Sequence, residues 1–258
     1  MKQSAVILTL CVMFLSGCAS TDKPSETPKQ NVQTGDPRDP LEGFNRVMWD
    51  FNYNYLDKFL VKPLAQGYVL VTPKPVRQGL VNAAENLEEP ANFVNNALQG
   101  KVDGMMTSLA RFLVNSTVGV FGIFDVAKAM ELEAKEEDFG QTLGVYGLET
   151  GPYLMVPARG PTDIRSTSGD IVDGMMFPMN ILDSNIRVLS FVIKGLDARA
   201  NLLEQEGTLN NSLDPYGFVK NAYFQRLEYD VKDGNVETDD EAFLDEFDDI
   251  EEMLDEQD

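Results

Sequence analysis

The chain has 258 residues, and 42 acidic against 21 basic side chains give a formal net charge of -21, with no histidine and two cysteines. Without histidine there is no Ser-His-Asp or Cys-His nucleophile system and no imidazole ligand for a metal, so the commonest hydrolase and zinc designs are excluded and neither metal nor cofactor is expected. A charge of this sign repels phosphate backbones and excludes nucleic acid as a partner, while 43% hydrophobic residues suffice for the core of one domain of ordinary size.

Lys2, the apolar run Ala5 to Leu15 and the small-residue sequence Leu15-Ser16-Gly17-Cys18 read as an export signal over residues 1–17, too short to span a bilayer and removed by cleavage. The pattern resembles the bacterial lipoprotein signal, in which cleavage leaves cysteine first and acyl chains are added to it. Cys18 is then the lipid anchor. Cys11 leaves with the signal, so no disulfide is expected. Two or more acyl chains, at about 0.8 kcal/mol per buried CH₂, make a permanent tether. Ala19 stands where lipoproteins kept at the inner membrane carry Asp, which points to the outer membrane and a chain on its periplasmic face. Residues 18–38 are polar and proline-containing, a flexible lipidated linker.

A helical body is expected over residues 39–229. From Leu41 to Leu60 the aromatics Phe44, Trp49, Phe51, Tyr53, Tyr55 and Phe59 crowd an amphipathic segment, which suits a bilayer interface and a helical core equally. Val76, Leu80, Ala83 or Ala84 and Leu87 form a helical stripe that Pro90 should end or kink, and a further helix is predicted from Val102 to about Asn115.

Phe112 to Phe124, FLVNSTVGVFGIF, is thirteen residues without a charge. As a helix it covers about 20 Å, short of a hydrocarbon core of about 30 Å but enough to enter one leaflet. A second apolar region, Met175 to Leu196, is broken by Pro178 and carries Asp183, Arg187 and Lys194. Neither is a transmembrane helix; each is a buried core helix or a membrane-embedded one. Between them Gly140, Gly144, Gly147, Gly151, Gly160 and Gly169 predict turns and a loop or short hairpin, without the order of a phosphate cradle.

Residues 230–258 hold fifteen acids and one lysine, about -14 of the total charge. Phe243, Phe247, Ile250 and Leu254 recur at helical spacing within them, so this acidic tail is either solvated or a face that docks on a basic partner or on the body. A near-match to a calcium loop at Asp233, Asn235 and Glu237 fails, because Thr238 stands where glycine is needed and Leu244 where the bidentate acid is needed.

Asp39-Pro40-Leu41-Glu42-Gly43-Phe44-Asn45-Arg46 resembles the opening signature of the MlaA (VacJ) family of outer-membrane lipoproteins. The agreement runs on through Asp57 with Lys62-Pro63, Arg77 with Gly79, Asn86-Leu87-Glu88-Glu89-Pro90, and Arg111-Phe112 with Asn115. It continues at Phe139-Gly140 with Thr142-Leu143-Gly144, Gly151-Pro152-Tyr153, Arg199 with Leu202-Leu203, Asp214-Pro215-Tyr216 and Ala222-Tyr223-Phe224-Gln225-Arg226. Ser166 after Arg165, where the family pattern has an acid, and Lys220, where it has Arg, depart from it, and the tail has no counterpart.

The resemblance implies a mainly α fold: a helical disc or ring of amphipathic helices set in the inner leaflet of the outer membrane, with a central channel. It implies removal of phospholipid misplaced in the outer leaflet, its transfer to the periplasmic carrier MlaC, and residence beside a trimeric porin of the OmpC or OmpF kind. On that reading Phe112, Val118, Val120, Phe121 and Phe124, with the face of Ile186, Leu189, Ile193 and Leu196, contact lipid, and Arg187 and Lys194 attract the headgroup. Gly140, Gly144, Gly147 and Gly151 form a loop that gates the path. No enzyme is expected, since carboxylate pairs arise by chance among 42 acids. The alternative is a structural lipoprotein that braces a porin or the envelope.

Overall fold

Among the described residues, four prolines stand in the first two positions of a helix, where the missing N–H has no partner to lose, and they set the punctuation of the fold. The computed structural model describes residues 35–204 and 206–236. The export signal, Cys18 and the stripe from Phe243 to Leu254 lie outside them. The chain order is α1 (Glu42–Asp50), a π-helical stretch (Phe51–Val61), α2 (Lys62–Val71), α3 (Lys74–Asn86), α4 (Glu89–Leu98) and α5 (Val102–Thr117). A short α6 (Val126–Ala129), α7 (Phe139–Val145) and the hairpin β1 (Tyr153–Val156) with β2 (Gly160–Asp163) follow. The last part is α8 (Ile164–Asp173), α9 (Ser184–Asn201), a 3₁₀ turn (Leu202–Glu204), α10 (Glu206–Asn210) and α11 (Pro215–Val231). The fold is mainly helical, and no helix among the described residues is long and apolar enough to cross a membrane.

Several expectations hold only in part. The stripe from Val76 to Leu87 is α3, which ends at Asn86, the first of the two alternatives expected at Pro90, and Pro90 itself sits in the first turn of α4. The uncharged stretch Phe112 to Phe124 is not one helix. It ends α5 at Thr117 and then turns sharply, with Val120 at φ 54°, Phe121 at 58° and Gly122 at 87°. A Cβ on Gly122 would meet the Asn86 side chain at 2.5 Å, so the tip is folded back against α3 and only glycine fits there.

The glycine-rich region holds the expected hairpin, antiparallel with Tyr153 opposite Asp163 and Val156 opposite Gly160, but its first part is helix α7. Gly140 lies in that helix because its backbone touches α8: a Cβ on Gly169 would come within 2.3 Å of the Gly140 nitrogen. Asp138 caps α7 through the amide of Gln141 at 2.7 Å, and Asp163 caps α8 through that of Ser166 at 2.9 Å.

The distribution of polarity is inverted. A small aromatic core of Tyr153, Met155, Tyr216 and Phe224 joins the hairpin to α11, but most other large buried side chains are polar: Asn45, Asn92, Asn95, Asn96, Glu89, Arg111, Asn115 and Asp163. Large apolar side chains face outward instead, among them Phe59, Leu70, Phe121, Ile181, Val188 and Phe191, with Leu70 86% and Phe121 81% exposed. α9 packs against both α2 and α3, and Ile123 packs on Gly79 of α3, so these outward residues belong to adjoining elements. Patches of this extent mark a surface that meets something other than water.

Candidate functional site

Two polar clusters hold the elements in place. In the first, Asp39 is fully buried and accepts from Asn45 Nδ2 at 2.8 Å, Tyr216 OH at 2.5 Å and Lys220 Nζ at 3.3 Å. Asn45 also donates to the Tyr153 carbonyl at 3.0 Å and accepts from the Met155 amide at 2.9 Å. The opening signature thus clamps α1, β1 and α11 together. Arg46 adds a bidentate pair with Asp214 at 2.7 and 3.0 Å and lies over the Tyr216 ring.

The second cluster centres on Arg111, which donates to Glu89 at 2.5 Å, to the Leu132 carbonyl at 2.7 Å and to Asp125 at 3.2 Å. Asn115 bridges Asp125 and the Ala127 amide, while Asn95 reaches Asp173 at 2.9 Å and the Glu137 carbonyl at 3.2 Å. These bonds fasten residues 125–138, the short α6 and the extended segment after it, onto α4 and α5. Burial pushes the carboxyls of Glu89, Glu137, Asp138 and Asp173 upward, and their hydrogen bonds offset part of that rise.

Beside the first cluster lies a cavity of about 500 Å³, in the range of roughly 300–1,000 Å³ usual for ligand sites. Trp49 comes from α1, Asn52, Tyr53 and Asp57 from the π-helical stretch, Met155 and Pro161 from the hairpin, and Leu209, Phe218 and Val219 from α10 and α11. Trp49 and Tyr53 stack at 5.0 Å. Asn52 anchors the hairpin tip, donating to the Val156 carbonyl at 2.9 Å and accepting from the Ala158 amide at 2.8 Å. π-helical segments are rare and concentrate at functional sites; here the stretch aims Asn52, Tyr53 and Asp57 inward while Phe51, Tyr55 and Phe59 face out.

One edge of this apolar cavity is charged. Arg199 binds Asp57 at 2.6 and 2.9 Å and Glu206 at 3.1 Å, and Lys62 binds Glu206 at 2.8 Å. The Lys62 bond holds the Glu206 carboxyl below its usual range, and the Asp57 bond holds the Arg199 guanidinium above its own. Apolar walls with a fixed ionic edge suit a molecule that has a chain at one end and a charge at the other.

The residues singled out in the sequence are scattered. Phe112 is half-buried on α5, while Val118, Val120, Phe121 and Phe124 are exposed on the folded tip. On α9, Ile186 and Leu189 are exposed but Ile193 and Leu196 turn toward neighbouring helices; the outward face also carries Val188, Phe191 and Val192, which the chosen stripe left out. Arg187 is exposed with no ion pair among the described residues, whereas Lys194 is bound to Glu88 at 2.5 Å. Gly140 and Gly144 belong to α7, and a Cβ on Gly144 would meet Val231 at 2.7 Å, so close packing and not loop freedom explains them. Gly147 and Gly151, at φ 87° and 74°, are the two in open loop. None of these lines the 500 Å³ cavity. Its residues carried signals of another kind: the aromatic crowding from Trp49 to Tyr53, and Asp57 and Arg199 among the motif positions.

Comparison with known proteins identifies a family for the chain. A family model described as MlaA lipoprotein matches residues 37–230. The intermembrane phospholipid transport system lipoprotein MlaA of Escherichia coli (strain K12) is 38% identical over 239 residues, 92% of each chain. The protein of the same name from Haemophilus influenzae is 33% identical over 241 residues, 92% of this chain and 94% of that one. A solved structure described as "Structural basis for maintenance of bacterial outer membrane lipid asymmetry" superposes with a TM-score of 0.72 at 41% identity, covering 75% of this chain and 98% of its own.

Proposed function

The chain belongs to the MlaA lipoprotein family, and from that premise we propose that it removes misplaced phospholipid from the outer leaflet of the outer membrane, keeping the two leaflets distinct. The proposal extends to its address: acyl chains on Cys18 hold it on the periplasmic face, and its outward apolar side chains rest in the inner leaflet. The cavity between the π-helical stretch, the hairpin and α11 lies on the lipid's path. A periplasmic carrier of the MlaC kind receives the lipid, and a trimeric porin of the OmpC or OmpF kind sits alongside. The work is binding and transfer, without a chemical step.

The observation that carries this reading is the inverted polarity, apolar outside and hydrogen-bonded polar inside, in a body without a spanning helix among its described residues. A phospholipid has a charged head and apolar tails, so a route for it needs polar groups beside apolar walls, held at the membrane. The test is a strain lacking this gene, assayed for phospholipid in its surface leaflet and complemented with wild type or Cys18→Ala. Surface phospholipid should rise on deletion and fall again only with the form that can be lipidated. No rise on deletion would leave the porin-bracing role as the better account.

A further inference from the structure

A second cavity, of about 670 Å³, lies where the described body begins, among Arg38, Glu149, Arg165, Phe224, Leu227 and Glu228. It shares no residue with the cavity of Trp49 and Tyr53. Two of its charged residues are out of balance. Arg165 is 7% exposed, yet its guanidinium makes one hydrogen bond, from Nη1 to the Leu148 carbonyl at 2.9 Å, and Nε is buried with no partner. No carboxylate pairs with it among the described residues. Arg38, by contrast, is tied to Asp36 at 2.9 Å. A buried guanidinium short of hydrogen bonds is costly, even with the Asp138 carboxylate acting on it at longer range, and an anion from outside would complete it.

Glu149 is the opposite case. It is exposed at the same cavity, and it too makes no ion pair among the described residues. A cation and an anion that line one cavity without neutralising each other are the complement of a molecule that carries both charges. The same lining is apolar at Pro152, Leu227 and Val231. A guanidinium fork suits a phosphate, and a carboxylate suits an ammonium. Glu228 is paired with Lys232 of the same lining at 2.8 Å, so Glu149 is the acid that disfavours a head that is negative only.

We propose that this cavity is a headgroup subsite for a zwitterionic aminophospholipid, with its phosphate on Arg165 and its ammonium on Glu149. The proposal rests on the phospholipid-transfer reading and adds a preference to it.

The test is retention of lipid by the full-length lipidated protein, incubated with vesicles of phosphatidylethanolamine and phosphatidylglycerol in equal parts and analysed by mass spectrometry of what it holds. Wild type should enrich phosphatidylethanolamine about fivefold, the discrimination that one exposed charge pair supplies at its upper end. Glu149→Gln, an exposed change checked by its unfolding temperature, should bring the ratio to that of the vesicles. Arg165→Gln should lower retention of both lipids, and if it fails to fold, Glu149→Gln carries the test alone. An equal ratio in wild type and Glu149→Gln overturns the subsite while leaving phospholipid transfer intact. Added inorganic phosphate that binds wild type and Glu149→Gln alike, with no lipid preference in either, identifies a free-anion site and overturns it too. Retention of neither lipid would instead overturn the transfer reading beneath it.

Discussion

Arg111 and Glu89 face each other across α4 and α5 at 2.5 Å, both nearly inaccessible, in a protein whose apolar side chains are largely outside. Removing one member leaves a buried charge without its partner, which costs about 3–5 kcal/mol. Arg111→Met should therefore lower the unfolding temperature sharply, and much more than Arg111→Met combined with Glu89→Leu. Calorimetry of Arg111→Met, Glu89→Leu and the double variant decides it; a double loss equal to the sum of the two single losses would mean that the residues act independently.

Glu85 is partly buried, and burial raises its carboxyl above the ordinary value of 4.5, with Lys194 opposing. For a raised acid the stabilising contribution is complete below the unfolded value and is lost as pH climbs through the folded one. Glu85→Gln has no such titration. It should be more stable than wild type at neutral pH, with the difference vanishing below the carboxyl's ordinary value. Urea midpoints at pH 7 and pH 4 check the sign.

Two glycine substitutions should move in opposite directions. Gly169→Ala places a methyl 2.3 Å from the backbone nitrogen of Gly140, a contact that neither helix can relieve by a side-chain shift. A loss of about 1–3 kcal/mol is expected. Gly195→Ala, on α9 with nothing within 4 Å of the new methyl, should gain up to about 1 kcal/mol from helix propensity. Thermal denaturation of the pair is the measurement.

Val219 lines the 500 Å³ cavity. Val219→Phe should fill part of it and reduce the phospholipid that copurifies with the protein, with the fold preserved. Unchanged copurified lipid would move the path elsewhere.

Phe121 stands 81% exposed at the folded tip, and Arg187 is exposed at the start of α9. Phe121→Glu should weaken flotation with vesicles, with a stability change within about 0.5 kcal/mol, as expected of a surface position. Arg187→Glu should slow lipid transfer. Transfer at the wild-type rate would remove Arg187 from the path.

Much of the helix order was legible, because proline, glycine and apolar spacing are local signals. The stripe from Val76 is α3 and ends before Pro90, and the α5 pattern ends within two residues of its expected limit. The π-helical winding of Phe51–Val61 was not legible, since the local composition of an amphipathic helix carries no mark of it. Nor was α7, whose glycines are set by the backbone of α8 and not by turn chemistry. The motif positions Asn45, Glu89, Arg111 and Asn115 were visible one by one, but that they form buried networks depends on contacts between distant parts of the chain. The cavity draws on eight elements, from α1 to α11, so no window of sequence contains it.

The outward apolar side chains of α2, α9 and the Phe121 tip bear on what stability means for this protein. Any amphiphile that covers them prefers the folded chain, and by mass action it raises the free energy of unfolding with the logarithm of its concentration. A melting temperature is then a property of the protein and its micelle jointly. Values taken in different detergents, or in one detergent at different concentrations, are comparable only after extrapolation to a common amphiphile activity.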